Sequence, residues 1–275
     1  MDAREVSELK ELWKRSFGDS SQYTDFYFSR RYRTGNTRVF RADGKIVSSA
    51  QFFPYDISCG KDIIKGVYIL GVCTHPDYRR RGFVSRMIRE ILEEQAVGGA
   101  ELAFLIPSER ELFGLYEKLG FAGLFTVYEG HVEAVAATTG EYEIMTPAPD
   151  DLFRFYSRFY ASLHSAVLKT KDDFLFAIED FIAYGGRIDA CGINGKIRGF
   201  AATEGDIVKE LLCVDAEARD TLLSHLLSDA AGGLTVITPN PQPGAVKKTI
   251  GMARALRSDL PICAVKDPYA NLLLN

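Results

Sequence analysis

Two short stretches constrain the fold most, because each predicts a tight hairpin at a matching place in one half of the chain. Residues 43–46 are Asp-Gly-Lys-Ile, and residues 194–197 are Asn-Gly-Lys-Ile. Asp-Gly and Asn-Gly favour two-residue hairpin turns, in which both central residues need a positive φ. The runs at 71–74 and 211–214 also correspond, and each leads into a predicted helix. We interpret the chain as two copies of one fold in tandem. A coincidence between two α/β domains is the alternative.

The spacing of apolar residues predicts the elements of the first half. They are helices at 6–17, 23–30, 83–97 and 109–119, and strands at 38–42, 46–54, 63–74, 102–107 and 121–132. This order is typical of an α/β domain with a mixed sheet. A stretch rich in Ala, Thr, Gly and Pro at 133–149 predicts a linker.

The same kinds of element are predicted again after the linker. Helices are expected at 152–163, 172–183, 216–231 and 244–256, and strands at 187–193, 197–203, 207–214, 234–238 and 261–266. We therefore divide the chain into a first domain, residues 1–135, and a second domain, residues 145–275.

Length and composition exclude several classes of protein. A chain of 275 residues with 47% hydrophobic and 25% charged residues suits two globular domains. A net charge of −4 disfavours a broadly basic nucleic-acid binder. The apolar runs are too short to cross a membrane, and the charged start does not fit a signal peptide. Five scattered cysteines without CxxC spacing indicate reduced thiols. We expect a cytoplasmic protein that uses no metal and binds neither nucleic acid nor membrane.

The segment from Thr74 to Val84 carries the strongest chemical signal. A predicted strand runs into a loop of three arginines followed by Gly82, and this loop opens a helix. A helix N-terminus has unpaired N–H groups and a positive charge of about half a unit. The arginines add charge, and a glycine lets a ligand approach the backbone. The arrangement favours a phosphate site, most naturally for a pyrophosphate. A solvated basic turn is the alternative.

Residues 72–82, Val-Cys-Thr-His-Pro-Asp-Tyr-Arg-Arg-Arg-Gly, resemble the coenzyme A signature of the GNAT acetyltransferase superfamily. In that signature V-x-x-x-P-x-Y-R leads into (R/Q)-x-x-G-x-(G/A). Arg79 and Gly82 fit it, whereas Val84 stands where Gly or Ala is usual, which indicates a looser loop. Leu115–Phe121 resembles the superfamily's Y-x-x-x-G-F segment at the expected distance downstream. The resemblance implies an acyl-CoA-dependent fold of two tandem GNAT-like domains, each α/β with a mixed sheet.

The chain is similar in particular to the enhanced-intracellular-survival (Eis) acetyltransferases. The similarity lies in the arginine loop, the helix at 108–120 and a second GNAT-like half with Lys-Glu-Leu at 209–211, and it covers essentially the whole chain. In that family a catalytic GNAT domain precedes a degenerate one and a sterol-carrier-like domain. This chain ends where the third domain would begin. The resemblance implies that residues 1–135 form the catalytic domain and residues 145–275 the degenerate one.

The second half lacks an arginine loop. Asp215, Glu217 and Asp220 open its predicted helix instead. Carboxylates at a helix N-terminus interact favourably with the helix dipole and would repel a pyrophosphate. We therefore expect no cofactor site in this half.

By resemblance, acetyl-CoA would lie along the strand that ends at Thr74. The strand would hold the pantetheine arm and polarise the thioester carbonyl, and the loop would hold the pyrophosphate. The expected cofactor-binding residues are Val72, Cys73, Thr74, Arg79, Arg80, Arg81, Gly82, Phe83, Val84 and Ser108. Tyr116 matches the tyrosine that acts as general acid in many members. An ordinary tyrosine pKa of about 10 suits protonation of a thiolate.

Several of these residues have other interpretations. Tyr116 fits a packed core aromatic, and Ser108 fits a helix cap with Glu111 three residues on. Cys73 invites a covalent mechanism, but nothing pairs it with a His or Asp, and a buried strand cysteine is usually inert. His75 is a candidate base, although a histidine in such a turn is more often exposed.

The motifs do not identify the general base. In Eis-like enzymes the terminal carboxylate is implicated, which makes that of Asn275 a candidate here.

We expect an N-acetyltransferase that moves an acetyl group from acetyl-CoA to a primary amine of a small molecule or peptide. The amine would attack directly in a ternary complex, and the protein could form a homo-oligomer. An acyl-CoA sensor or scaffold without turnover is the alternative. The acceptor and the range of acyl donors stay open.

Overall fold

The structure is a computed structural model that describes residues 3–258, 265 and 268–270. The chain forms two compact units, and neither is continuous in sequence. Unit 1 comprises Met1–Ile57, Ile63–Leu124 and Gly251–Ala264, and unit 2 comprises Ser58–Asp62, Phe125–Ile250 and Val265–Asn275. The predicted division into a catalytic domain, residues 1–135, and a degenerate domain, residues 145–275, stays a prediction.

Unit 1 is a mixed sheet with helices. Its helices are α1 (Ala3–Phe17), α2 (Ser21–Arg30), α3 (Phe83–Val97) and α4 (Phe113–Glu117). Its strands come from β1 (Thr37–Ala42), β2 (Lys45–Cys59), β3 (Asp62–Thr74), β4 (Leu102–Leu105), the start of β5 (Ala122–Val132) and the end of β12 (Val246–Ala255). The sheet order is β1-β2-β3-β4-β12. Strands β3 and β4 are parallel, whereas β1 with β2 and β4 with β12 are antiparallel.

The core of unit 1 holds β3 and α3 in place. Met87, Ile88, Ile91 and Leu92 form the buried stripe of α3, as the helical spacing predicted. They pack on the face of the sheet that includes Val67 of β3. Each such side chain contributes about 1.5–3 kcal/mol when fully buried. The loop between β3 and α3 is therefore held at both ends by rigid elements.

Unit 2 repeats the same order of elements. Its helices are α5 (Pro149–Ser162), α6 (Lys171–Ala183) and α7 (Ala216–Leu227). Its further strands are β6 (Glu143–Met145), β7 (Ser165–Leu168), β8 (Arg187–Ile193), β9 (Lys196–Glu204), β10 (Ile207–Cys213) and β11 (Leu234–Thr238). The order β5-β11-β10-β9-β8-β6 contains the parallel pair β10 and β11. A hairpin, a third strand, a helix and a parallel strand thus occur in both units.

Both hairpin turns have the predicted geometry. Asp43 and Gly44 have φ of 52° and 74°, and Asn194 and Gly195 have φ of 51° and 73°. Positive φ at both central residues is what a type I′ turn requires. The two hairpin predictions are confirmed.

One predicted helix is wrong. Residues 244–256 were expected to be helical, but Val246–Ala255 is strand β12. Met252–Ala255 pair antiparallel with Leu102–Leu105, which lie about 150 residues away in sequence. The backbone hydrogen bonds of this pairing override the local helix propensity.

Shorter elements also differ from the predictions. The predicted linker at 133–149 contains β6, which pairs with β8, and β7 was not predicted. The predicted helix at 109–119 is a 3₁₀ turn, Arg110–Leu112, followed by the short α4. The strand expected at 261–266 and the candidate Asn275 lie outside the described residues, apart from residue 265.

No helix in the described part of the chain combines the length and the apolar character needed to cross a membrane. Within the described residues, no group of three His, Cys, Asp or Glu side chains could hold a metal ion. Within the described residues, Cys59, Cys73, Cys191 and Cys213 are not part of a disulfide.

Candidate active site

The parallel strands β3 and β4 separate at one point. Their pairing runs from Gly66 opposite Leu102 to Tyr68 opposite Phe104. Strand β3 continues to Thr74, whereas β4 ends at Leu105. Among the described residues, the pairing of β3 with β4 ends at Tyr68, so an extended ligand could pair with that edge of β3 beyond this point.

Hydroxyl groups surround the end of β3. Ser48 Oγ donates to the Cys73 carbonyl oxygen at 2.8 Å and lies 2.8 Å from Thr74 Oγ1. Ser49 Oγ lies 3.2 Å from Cys73 Sγ. Burial raises the pKa of the Cys73 thiol more than its hydrogen bonds with Ser49 and Ser16 lower it. The thiol is therefore held protonated, which does not suit a nucleophile.

A 3₁₀ turn, Pro76–Tyr78, connects β3 to the arginine loop. The ring nitrogens of His75 face the Asp77 N–H at 3.4 Å and Arg15 Nη1 at 3.2 Å. Tyr78 donates to Asp43 Oδ2 at 2.8 Å, so the loop is fixed to the β1–β2 hairpin. Both ring nitrogens of His75 therefore make contacts that shape the turn. These contacts favour a structural role for His75 over a role as the general base.

The arginine loop presents positive charge around an open helix end. Arg79, Arg80 and Arg81 are exposed, and none of them forms an ion pair with a described carboxylate. Arg79 Nε donates to the Thr74 carbonyl oxygen at 3.3 Å, and Arg81 stacks over the Tyr78 ring at 4.7 Å. Arg80 has a φ of 62°, which residues with side chains rarely adopt. These contacts shape the loop and leave its charge available.

Gly82 is the N-cap of α3. Its φ of 81° is left-handed, and no side chain caps the helix. A Cβ at Gly82 would meet nothing within 4 Å, so there is open space beside this glycine. Phe83 and Val84 are half-buried, and Val84 packs against the core. An uncapped helix N-terminus facing open space is suited to an anion.

Tyr116 is a buried residue of α4. Its ring packs at 6.0 Å against Phe121 in a T-shaped arrangement. Burial raises the pKa of Tyr116 to about 12. Within the described residues, no group is hydrogen-bonded to its hydroxyl. Both the core interpretation and the general-acid interpretation fit a protonated, buried hydroxyl.

Ser108 is exposed and does not cap a helix. The following turn begins at Arg110, and its N-cap is Glu109 without a side-chain hydrogen bond. The cap interpretation with Glu111 is therefore wrong, because the turn starts too late in the sequence for Ser108 to reach it. Its proposed contact with the pantetheine arm stays a prediction.

In unit 2, the carboxylate of Asp215 caps the N-terminus of the corresponding helix, α7. Asp215 accepts from the Ala218 N–H at 2.8 Å, from Tyr142 at 2.9 Å and from Arg198 at 3.1 Å. Burial alone would raise the pKa of Asp215, but these hydrogen bonds lower it overall. A cavity of about 190 Å³ next to Asp215 therefore has this carboxylate at its helix end. That end does not suit a pyrophosphate.

The sequence analysis missed three groups at this site. They are Ser48 and Ser49 of β2, which contact the end of β3, and the Arg31–Tyr55 pair, in which Arg31 donates to Tyr55 at 2.7 Å. The serines could have been noticed as adjacent polar residues inside an apolar strand. No sequence motif indicated the contacts of Arg31, because its partners lie more than twenty residues away in sequence.

Comparison with known proteins places this geometry in a known fold. Residues 1–123 match the family model described as an acetyltransferase (GNAT) domain. No curated protein matches the chain significantly in sequence. The chain is similar in structure to a probable N-acyltransferase from Enterococcus faecalis, with 16% identity, a TM-score of 0.71, and coverage of 93% of this chain and 71% of that one.

Two further structures have the same fold. A GCN5-related N-acetyltransferase from Anabaena variabilis is 14% identical over 93% of this chain and 71% of that one, with a TM-score of 0.73. Eis1 from Mycobacterium abscessus is 13% identical over 96% of this chain and 74% of that one, with a TM-score of 0.70. The predicted α/β fold with GNAT-like architecture is confirmed.

Proposed function

We propose that this chain, whose residues 1–123 match an acetyltransferase (GNAT) domain, transfers an acetyl group from acetyl-CoA to a primary amine of a small molecule or peptide. The observation that carries the proposal is the uncapped N-terminus of α3 at Gly82, next to three arginines that pair with no carboxylate of the described residues. We assign the reaction to residues 1–135. Residues 145–275 would be a degenerate copy, as in the Eis-like arrangement.

The loop fits a pyrophosphate in charge and in space. The first N–H groups of α3 would bind phosphate oxygens, helped by the helix dipole. Arg79, Arg80 and Arg81 would add charge-assisted hydrogen bonds. The open space in front of Gly82 lets a ligand reach the backbone. Phe83 and Val84 would hold the first turn of α3 against the core while its N–H groups bind.

The edge of β3 beyond Tyr68 fits the extended pantetheine arm. Backbone groups of Val72, Cys73 and Thr74 would pair with the amides of the arm, in the place where a neighbouring strand would otherwise be. Ser108 follows β4 and would contact the arm from the other side. The hydrogen bond from Ser48 to the Cys73 carbonyl holds this backbone in one orientation.

The thioester supplies an activated acetyl group with a thiolate leaving group. The amine nitrogen forms a bond to the acetyl carbon, and the carbon–sulfur bond breaks. Tyr116 would donate its hydroxyl proton to the departing sulfur. The amine nitrogen would lose one proton to a general base. A backbone N–H of β3 near the carbonyl oxygen would stabilise the negative charge that develops there.

The mechanism also needs a group that accepts the proton lost by the amine. His75 is engaged with Asp77 and Arg15, which disfavours it as a base. The carboxylate of Asn275 stays the candidate from the sequence.

We also propose a cytoplasmic location, since free thiols such as that of Cys73 are typical of reducing compartments.

Release of free thiol from acetyl-CoA, measured with a panel of amines, tests the proposal. We expect amine-dependent thiol release and an acetylated product of matching mass. If acetyl-CoA binds but no amine in the panel releases thiol, the chain is an acyl-CoA sensor or scaffold instead. If acetyl-CoA does not bind, both functions are wrong.

A further inference from the structure

Gly71 interrupts strand β3 shortly before the strand ends. Its φ is 59°, in the left-handed region, while the strand runs on to Thr74. A left-handed glycine inside a strand breaks the pleat and turns the neighbouring peptide groups away from their directions in a regular strand. The pairing of β3 with β4 ends at Tyr68, so this bend lies in the part of β3 proposed to bind the thioester arm. Gly71 therefore sets the directions of the backbone groups around it.

The indole ring of Trp13 lies against this bend. A Cβ placed on Gly71 would be 2.6 Å from Cζ3 of Trp13 and 3.0 Å from Cη2. Atoms that are not bonded to each other repel strongly at such distances. The ring thus occupies the place that the side chain of another residue would need. The bend cannot shift toward α1 without a clash.

Trp13 is itself held from several sides. Its Nε1 donates to Asp19 Oδ2 at 2.7 Å. Its ring stacks on the Tyr27 ring at a centroid distance of 4.7 Å, and the Phe28 ring meets it edge-on at 5.7 Å. Trp13 is buried. Since close-packed interiors are barely compressible, a ring fixed in this way is a rigid support for the backbone that lies against it.

Helix α1 also reaches the residue that follows β3. Arg15 Nη1 lies 3.2 Å from Nε2 of His75. Between these two contacts, Ser48 of β2 donates to the Cys73 carbonyl oxygen. Side chains of unit 1 therefore fix the segment from residue 71 to residue 75 at three points, and the contact of Trp13 is the one at the bend.

We propose that Trp13 is a positioning residue for acetyl transfer, which holds the bend at Gly71 so that a backbone N–H of β3 points at the carbonyl oxygen of the thioester. This inference rests on the proposed function. When the amine attacks the carbonyl carbon, negative charge develops on that oxygen. A donor stabilises this charge best when it already points at the oxygen, because no reorientation is then needed during the reaction.

The turnover of a Trp13 variant gives the first test. Trp13→Leu keeps an apolar side chain but withdraws the ring from Gly71. We expect acetyl transfer to the most active amine of the panel to slow about tenfold or more, since small misplacements of reacting groups are costly. The affinity for coenzyme A, which has no acetyl group, should stay unchanged. Phe28→Leu removes a neighbouring buried ring and is the matched control. Its turnover should stay close to that of the wild type.

The infrared spectrum of bound acetyl-CoA tests the orientation of the donor without an acceptor. Isotope labelling of the carbonyl carbon separates its stretching band from the amide bands of the protein. A donor aimed at the oxygen polarises the carbonyl and lowers the frequency of this band. We expect the lowered frequency in the wild type and in Phe28→Leu, and a frequency close to that of free acetyl-CoA in Trp13→Leu. A merely structural role of Trp13 would lower the stability without moving the band.

A change of size on both sides of the contact tests the pair. Gly71→Ala puts a methyl group where the Trp13 ring lies, so it should reduce turnover and the melting temperature. In the Trp13→Leu background the methyl group has room, and the same change should cost less. Gly44→Ala is the control, because Gly44 has a φ of 74° and its Cβ would meet nothing within 4 Å. It should cost the same with Trp13 or Leu at position 13.

The outcomes separate this inference from the proposed function. If the band and the turnover of Trp13→Leu equal those of the wild type, the inference alone is wrong. A band that does not move when acetyl-CoA binds to the wild type would also overturn it. If Trp13→Leu does not fold, Trp13→Phe takes its place, and an unchanged band there contradicts the role of Trp13. If acetyl-CoA does not bind, or no amine releases thiol, the acetyl-transfer proposal fails and the inference with it.

Discussion

The thiol of Cys73 lies 3.2 Å from the hydroxyl of Ser49, inside the buried end of β3. Burial raises the pKa of this thiol and outweighs its hydrogen bonds. A cysteine at this position is close to the proposed thioester site, yet its environment keeps it protonated. The contact therefore indicates a packing role.

Replacement of Cys73 should preserve the reaction. We expect Cys73→Ala to retain turnover close to that of the wild type, since the thiol takes no part in bond formation. Cys191→Ala, in unit 2, is the control for loss of a buried thiol. Detection of an acetylated Cys73 by mass spectrometry in the wild type would contradict direct attack by the amine.

Tyr116→Phe should reduce kcat about 10²-fold or more, because it removes the proposed general acid. The affinity for acetyl-CoA should stay unchanged, since the ring still packs against Phe121. Thiol release and calorimetry measure the two quantities separately. Tyr128→Phe, a half-buried tyrosine of unit 2, is the control.

The pH dependence provides a second check on Tyr116. Its pKa is raised to about 12, so the hydroxyl keeps its proton throughout the neutral and mildly alkaline range. The activity should therefore show no alkaline loss caused by Tyr116 until the pH approaches this value. A decline with an apparent pKa below that of an ordinary tyrosine, absent from Tyr116→Phe, would contradict the raised pKa of Tyr116.

Neutralisation of the arginine loop should weaken acetyl-CoA binding. We expect Arg79→Gln, Arg80→Gln and Arg81→Gln each to raise the Kd by up to about tenfold, the effect of one charge-assisted hydrogen bond. The effect should diminish at high salt. Arg89→Gln removes an exposed arginine further along α3 and serves as the control. Equal affinities for all four variants would exclude this loop as the pyrophosphate site.

Gly82→Ala should affect binding more than folding. A Cβ there has free space but a left-handed φ of 81°, so we expect a loss of about 1–2 kcal/mol in stability. The methyl group would also point toward the position expected for the pyrophosphate. Gly18→Ala is the matched control, since Gly18 has a φ of 76° and also meets nothing within 4 Å. Both variants should lose similar stability in thermal unfolding, and only Gly82→Ala should lose acetyl-CoA affinity.

The buried carboxylate of Glu210 should make Tyr160 important for the stability of unit 2. Tyr160 donates to Glu210 Oε1 at 2.7 Å, and Glu210 is fully buried. Tyr160→Phe should cost about 1–3 kcal/mol in the free energy of unfolding, because one hydrogen bond to a buried carboxyl group is lost. Tyr156→Phe is the control, since the hydrogen bond from the Tyr156 hydroxyl to the Val167 carbonyl oxygen is longer, at 3.5 Å. An equal loss in both variants would show that ring packing, rather than the hydrogen bond, matters.

Features that depend on neighbouring residues could be predicted from the sequence. The Asp43-Gly44 and Asn194-Gly195 turns follow from the φ values that those residues tolerate, and the buried stripe of α3 follows from its apolar spacing. The cap of α7 by Asp215 follows from the short distance between a side chain and the N–H groups three residues on. Such interactions are complete within one turn or one hairpin, so the local sequence determines them.

Only the tertiary structure decided the features that join distant segments. Strand β12 forms because Met252–Ala255 find partners at Leu102–Leu105, and local propensity alone indicated a helix. Likewise, the contacts from Arg31 through Tyr55 to Tyr68 bring together three elements, and no motif records them. The sequence alone therefore determined the two hairpin turns, the Asp215 cap and the buried stripe of α3, because their energies are local. The neighbours of the proposed reaction site depend on strand pairing and on side-chain burial, which exist only once the chain has folded.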